Sequence, residues 1–214
     1  MEKRTTKKEK SGLLTSKAGF TLVELLVVCA IFVIITAVVL ARQNRFSSDI
    51  QLTNLAYQVA ISIRQAQVYG LGVKGASTNF NTGYGIDFTA ASPNTYQLIA
   101  DNNQDKLYDQ APSPADSLVS SYQLQQGAKI DNLCVTDAYN SKTCSKGGNL
   151  TSLDIFYLRP DPSSNISANG QFSGGVSYNS ASITLVSSIG DRYKCVTIYQ
   201  TGQVSVNPGV GACP

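Results

Sequence analysis

The residue types that this chain lacks restrict the chemistry open to it. Its 214 residues include no His and no Trp. Without imidazole there is no Ser-His-Asp or Cys-His catalytic arrangement and no histidine metal site. The remaining candidates for catalysis, Ser, Lys and Asp, show no spacing that selects a nucleophile with its base or a pair of carboxylates. The sequence therefore favours a function other than catalysis.

One acidic residue lies in an otherwise apolar run. Residues 20–41 carry a single charge, Glu24, and as a helix they would span roughly 33 Å, enough to cross a hydrocarbon core of about 30 Å. A carboxylate at the bilayer centre costs about 2.5–3.5 kcal/mol. No Lys or Arg lies within one helical turn of Glu24. We therefore expect Glu24 either to reach the headgroups from the edge of the span or to pair with a cation from elsewhere.

The charge is distributed unevenly around this run. Residues 1–19 hold six Lys or Arg against two Asp or Glu, whereas the rest of the chain holds eleven against twelve. A basic segment before an apolar span predicts a cytoplasmic N-terminus and an extracytoplasmic C-terminal part. The run is longer than the apolar region of an ordinary cleaved signal peptide, and it lacks a good small-residue cleavage site at its end. The sequence thus predicts a single-pass membrane anchor.

The cysteines agree with an exported domain. Cys29 lies within the apolar run, and four cysteines follow it: Cys134, Cys144, Cys195 and Cys213. Four cysteines outside the cytoplasm predict two disulfides with three possible connectivities, of which we favour the sequence-local pairs 134–144 and 195–213. A zinc site is the alternative, but the C-x₂-C spacing typical of such sites is absent.

The remaining pattern predicts a long helix followed by strands. No Pro or Gly interrupts residues 20–69, and apolar residues recur at helical spacing from 52 to 66, so we expect one helix of about fifty residues that Gly70 and Gly72 end. Strands are predicted at 83–88, 95–100, 118–124, 129–135, 153–159, 182–187 and 192–199, the last followed by a hairpin into 203–206. Residues 160–181, rich in Ser, Asn, Gly and Pro, are predicted to form a surface loop. The predicted fold class is α+β, with a helix on an antiparallel sheet.

A polar segment after the second predicted strand has some of the spacing of a calcium loop. Asp101, Asn103, Asp105 and Asp109 fall at positions that supply oxygen ligands in such loops. Lys106 replaces the usual Gly, and Pro112 replaces the bidentate Glu. A polar β-turn explains the same residues. Calcium and a plain turn both stay open, and no other cofactor is predicted.

Residues 17–26, KAGFTLVELL, resemble the processing site of type IV pilins and type II secretion pseudopilins. The resemblance implies that a prepilin peptidase cuts between Gly19 and Phe20 and that Phe20 is then N-methylated. Glu24 becomes the fifth mature residue. Cleavage would create an α-amino group that is cationic near neutral pH. Pairing of Glu24 with the Phe20 amine of a neighbouring subunit would then offset the cost of its burial.

The outer part resembles the H-type minor pseudopilins and related minor pilins more loosely. The positions concerned are Ile63 to Gln67 with Gly70, Tyr84 to Ile86, and the late segment Arg192 to Val204. The resemblance implies a pilin-like fold in which the long N-terminal helix packs on a C-terminal antiparallel β-sheet domain. It also implies that the chain is a minor subunit.

Four segments follow from these inferences: a basic leader (1–19) that is removed, a transmembrane and assembly helix (20–41), its amphipathic continuation (42–72) and an extracytoplasmic β-rich domain (73–214). The resemblance implies a bacterial structural subunit that resides in the inner membrane and then in a pilus or pseudopilus. Its implied partners are the prepilin peptidase and methyltransferase, other pilins, and the assembly platform and ATPase.

Two alternative functions stay open: a pilus-displayed adhesin or DNA-binding minor pilin, and a signal-anchored enzyme. The outer domain offers only two scattered basic pairs, Lys142 with Lys146 and Arg192 with Lys194, so its sequence does not favour nucleic acid as a partner.

Overall fold

The computed structural model describes residues 19–72, 82–108, 115–170, 178–209 and 213, with only the backbone described at 41–46 and 209. The chain divides into two compact units, Met1–Asn44 and Arg45–Pro214. The described elements are one helix and ten strands. They are α1 (Leu22–Leu71), β1 (Gly83–Thr89), β2 (Thr95–Asp101), β3 (Ser117–Gln123), β4 (Lys129–Asp137), β5 (Lys142–Cys144), β6 (Ser152–Leu158), β7 (Asp161–Ala168), β8 (Tyr178–Val186), β9 (Tyr193–Tyr199) and β10 (Val204–Gly209).

The helix begins at a threonine cap. The Thr21 hydroxyl accepts a hydrogen bond from the backbone N–H of Glu24 at 3.2 Å, which satisfies one of the donors that a helix start leaves open. The helix then continues to Leu71. The expected helix of about fifty residues is confirmed.

Within the second unit, one side of α1 is buried in the core. The buried helix residues are Leu52, Leu55, Ala56, Val59, Ala60, Ile63 and Ala66. They recur three or four positions apart, the spacing that places residues on one helix face. Three of them are alanines, which let the helix backbone approach the strands closely. The predicted amphipathic stripe is thus the face that packs in the core.

The strands form two antiparallel sheets of five strands each. One has the order β3-β2-β1-β6-β7 and the other β10-β9-β8-β4-β5. A single hydrophobic cluster contains residues of α1 and of both sheets. The α+β fold predicted from the sequence is confirmed, although the sequence analysis anticipated one sheet and missed the three-residue strand β5.

The prediction of a surface loop over 160–181 is wrong. Residues 161–168 form β7 and residues 178–181 begin β8. Ser164, Ile166 and Ala168 are buried on one face of the strand, and Ser167 is buried on the other, because successive side chains of a strand point to opposite faces. Because several of these residues are polar, the sequence pattern did not indicate that the segment is buried. Pro162 is compatible with the assignment because β7 is an edge strand, where a missing N–H is tolerated.

The outer edge of β7 is joined to the other sheet by hydrogen bonds. The backbone N–H of Ser164 donates to the carbonyl of Gln200 at 2.9 Å, and its hydroxyl donates to the carbonyl of Tyr199 at 2.7 Å. On the helix, the Gln67 side-chain amide donates to the carbonyl of Pro162 at 3.0 Å. These bonds fix β7 between the helix and the end of β9.

Candidate assembly segment

The predicted processing site lies directly before the helix. Gly19, Phe20 and Thr21 precede the first helical residue, and Phe20 is 84% exposed in the isolated chain. A Cβ added at Gly19 would meet no atom within 4 Å. Glu24 lies in the first turn and is also exposed. The arrangement leaves the 19–20 peptide bond accessible and places the carboxylate one turn from the residue that would carry the new amine.

The apolar part of the helix has the length and composition of a membrane span. Leu22–Leu40 is 19 residues long and lies near the N-terminus, and none of its residues is buried in the chain. Its Thr36 hydroxyl bonds back to the carbonyl of Phe32 within the helix. Polar groups satisfied within a helix are compatible with lipid. Glu24 is therefore the one ionised side chain of the span that needs a partner from outside it.

Two disulfides involve strands of the second sheet. Cys134 of β4 is bonded to Cys144 of β5, and Cys195 of β9 is bonded to Cys213 near the C-terminus. These are the sequence-local pairs favoured above. Cys29 is free and exposed. The Lys142 ammonium donates to the carbonyl of Cys213 at 2.6 Å, so a charged hydrogen bond adds to the bridge that holds the chain end.

Removal of the bridge between Cys195 and Cys213 is expected to destabilise the second unit, Arg45–Pro214. The bridge closes a sequence separation of 18 residues, and a loop of this size contributes about 2–4 kcal/mol by restricting the unfolded chain. We expect a double variant with Ala at both positions to lose that amount of unfolding free energy, measured by urea denaturation of the full chain in detergent. Cys29→Ala is the matched control and should leave the free energy unchanged. Equal stability of the double variant and the wild type would contradict a structural role for this bridge.

The polar segment that could form either a calcium loop or a plain turn uses its oxygens on its own backbone. The buried Asp101 carboxylate accepts the backbone N–H groups of Gln104 at 2.5 Å and Lys106 at 3.0 Å. Burial raises the pKa of Asp101, and those same hydrogen bonds lower it.

The other candidate calcium ligands are also engaged or lie outside the described residues. Asp105 accepts the backbone N–H of Leu107 at 2.9 Å, and the Asn103 amide donates to Asp105 at 2.9 Å. Asp109 lies outside the described residues. The part of the chain that the structure describes contains no group of three or more acidic, Cys or His side chains placed to hold a metal. Calcium binding stays a prediction.

The four cations considered for nucleic acid all contact oxygen atoms. Lys146 lies 2.6 Å from Asp131, and Lys194 lies 3.2 Å from Asp49. Arg192 lies 3.9 Å from its neighbour Asp191, and Lys142 bonds to the carbonyl of Cys213 as described. Phosphate binding would have to replace these contacts. The geometry therefore does not favour these pairs as a phosphate-binding patch.

Sequence reasoning missed two buried carboxyls. Asp87 of β1 and Asp154 of β6 lie directly opposite each other, and both are buried. The signal was present in the sequence, because each Asp interrupts an apolar strand, in GYGIDF and in LDIFYL. Their strands pair only in the fold, so the sequence alone did not indicate that the two carboxyls meet.

The comparisons with known proteins concern the N-terminal part of the chain. Residues 14–40 match the family model described as the prokaryotic N-terminal methylation motif. This match includes Gly19, Phe20 and Glu24, and the second unit, Arg45–Pro214, lies beyond it. No curated protein and no solved structure matches the chain.

The motif and the fold support the same class of protein. The methylation motif and the α+β arrangement of an N-terminal apolar helix with antiparallel sheets support a type IV pilin or pseudopilin. The apolar helix and the motif indicate a membrane-anchored, single-pass protein. Proteins with this motif are structural rather than catalytic, and the motif implies processing by a prepilin peptidase and assembly with other pilins.

Proposed function

We propose that the chain is a structural subunit of a type IV pilus or type II secretion pseudopilus, cut between Gly19 and Phe20, N-methylated at Phe20 and assembled through its apolar helix. The observation that carries this proposal is Glu24, which lies in the first turn of the exposed span and within the matched motif. The carboxylate has no cation near it in sequence, and cleavage supplies one. Its placement thus couples processing to assembly.

The outer unit has the features of a domain that works outside the cytoplasm. It carries both disulfides, which persist in oxidising compartments. The basic leader before the span directs the N-terminus to the cytoplasmic side of the inner membrane. The precursor is therefore a single-pass inner-membrane protein whose outer domain is displayed on the fibre. The loose resemblance to H-type proteins supports assignment as a minor subunit.

Intact-mass measurement of the chain recovered from cells that contain a prepilin peptidase tests the proposal. We expect a mature chain that begins at Phe20 and carries one added methyl group. Gly19→Val should leave the precursor uncut. A Cβ at Gly19 meets no atom within 4 Å in the chain, so loss of cleavage would report on peptidase recognition rather than on folding. A measured mass that corresponds to an uncut wild-type chain beginning at Met1 would overturn the proposal and favour a signal-anchored protein.

A further inference from the structure

A row of polar side chains crosses the first sheet. Gln97 of β2, Asp87 of β1, Asp154 of β6 and Ser167 of β7 are successive cross-strand partners. Directly opposed residues in antiparallel strands project to the same face of the sheet. The two carboxyls therefore lie side by side at the centre of this row.

Three of the four residues in the row are removed from water. Asp154 is 2% exposed and Ser167 is fully buried, while Asp87 is 7% exposed. Two ionised carboxylates at directly opposed positions repel each other, and burial adds the cost of desolvating each charge. Some positive species must therefore reduce the charge of the pair.

The described side chains around the pair do not supply that charge. The Ser167 hydroxyl donates to Asp154 at 3.1 Å, and the Thr89 hydroxyl contacts Asp87 at 3.3 Å. The other charged group that acts on Asp154 is Asp116, another acid. Among the described residues, no Lys or Arg acts on either carboxyl. The Oδ1 atom of Asp154 is buried with no hydrogen-bond partner.

We propose that Asp87 and Asp154 share one proton in the folded outer domain, and that release of this proton on alkalinisation loosens the sheet at β1 and β6. The proton converts one carboxyl into a hydrogen-bond donor to the other, so the pair carries one negative charge instead of two. This follows from the pair's position and surroundings and is independent of the fibre function.

The direction of the pH dependence follows from proton uptake in the two states. Burial, followed by the neighbouring charge of Asp87, raises the pKa of Asp154 to about 8. Burial also raises the pKa of Asp87. An unfolded Asp releases its proton near pH 4, so the folded chain holds more protons between about pH 4 and pH 8. Stability is therefore greatest at the acid end of this window and falls as the pH rises through it.

Hydrogen exchange of the full chain in detergent tests the effect on the strands. After correction for the pH dependence of chemical exchange, we expect the opening equilibrium of β1 and β6 to rise by up to about tenfold per pH unit between about pH 5 and pH 7.5. Asp154→Asn should flatten this dependence in the upper part of the range, because the amide does not ionise and Asp87 then titrates without a charged neighbour beside it. Asp191→Asn, at a more exposed site, is the control and should retain the wild-type slope. A wild-type opening equilibrium that is constant across this range would overturn the proposal.

Two further measurements distinguish a shared proton from a bound cation. The infrared carbonyl band of a protonated carboxylic acid should be present at pH 6.5 in the wild type and absent in Asp154→Asn. Asp87→Asn removes the charge beside Asp154. The pH range over which β6 opens should therefore move to lower pH. This variant provides the test if Asp154→Asn does not fold. If a divalent cation were bound between the carboxyls in place of the proton, a chelator would abolish the stability of the wild type at pH 7. That result, or the absence of the carboxylic acid band, would overturn the proposal.

Discussion

A Glu24→Gln variant is expected to insert into the membrane and to be trimmed at Gly19, yet to enter filaments at least about tenfold less than the wild type. The amide keeps the size of the side chain but has no charge for the Phe20 amine of a neighbouring subunit. Removal of one partner of a buried charge pair leaves the other charge uncompensated, which costs about 3–5 kcal/mol, so the variant should assemble more weakly. Quantification of sheared filaments against the membrane pool measures the effect.

The control for this variant must change polarity in the span without changing charge. Thr36→Val fits, because the Thr36 hydroxyl bonds to the carbonyl of Phe32 in its own helix. We expect it to assemble as the wild type does. Normal filament levels with Glu24→Gln, at normal trimming, would contradict the pairing while leaving the processing proposal intact.

A Gly202→Ala variant is expected to lower the free energy of unfolding by about 2–5 kcal/mol. Gly202 has a φ of +82°, which a residue with a Cβ adopts at a cost of roughly 1–2 kcal/mol. A Cβ there would also lie 2.3 Å from the carbonyl oxygen of Pro162 and 2.7 Å from the Gln67 amide nitrogen. Relief of that overlap requires the turn to move away from β7, and such overpacking costs typically 1–3 kcal/mol. Urea denaturation followed by circular dichroism measures the combined loss of unfolding free energy.

Gly190→Ala separates the cost of the backbone conformation from the cost of the overlap with β7. Gly190 has nearly the same φ, +79°, but a Cβ there meets nothing within 4 Å. We expect this variant to lose only the backbone contribution of about 1–2 kcal/mol. If the two variants were equally destabilised, the close packing of the 200–203 turn on β7 would have no energetic weight.

The sequence predicted the helical and apolar parts of this molecule well, for physical reasons. Leu52, Val59 and Ile63 repeat at helical spacing, and the uninterrupted run before them has the length of a bilayer, so local pattern alone defines α1. Strands with apolar residues, such as β1 and β6, were also predicted. Their placement in two sheets was not, because strand order depends on contacts between residues far apart in sequence.

The wrong predictions concern segments in which polar residues occupy buried positions. In β7, Ser164 and Ser167 are buried because the fold supplies partners for their hydroxyl groups: the carbonyl of Tyr199 and the carboxyl of Asp154. A sequence pattern does not contain those partners. The candidate assembly residues were found early because their signal is local, a glycine, an aromatic residue and an acid in fixed spacing, whereas the Asp87–Asp154 pair exists only after β1 and β6 align.

The placement of the two disulfides has a mechanical consequence. Both covalent bridges lie in the second sheet or between that sheet and the chain end, and Cys29, the cysteine of the helix, is unbonded. Tension applied along α1 would therefore be resisted within Arg45–Pro214 by side-chain packing and by bonds such as Gln67 to Pro162, all of which can re-form after rupture. The domain is covalently reinforced against unravelling from its C-terminal end, while its attachment to a pulled helix is left reversible.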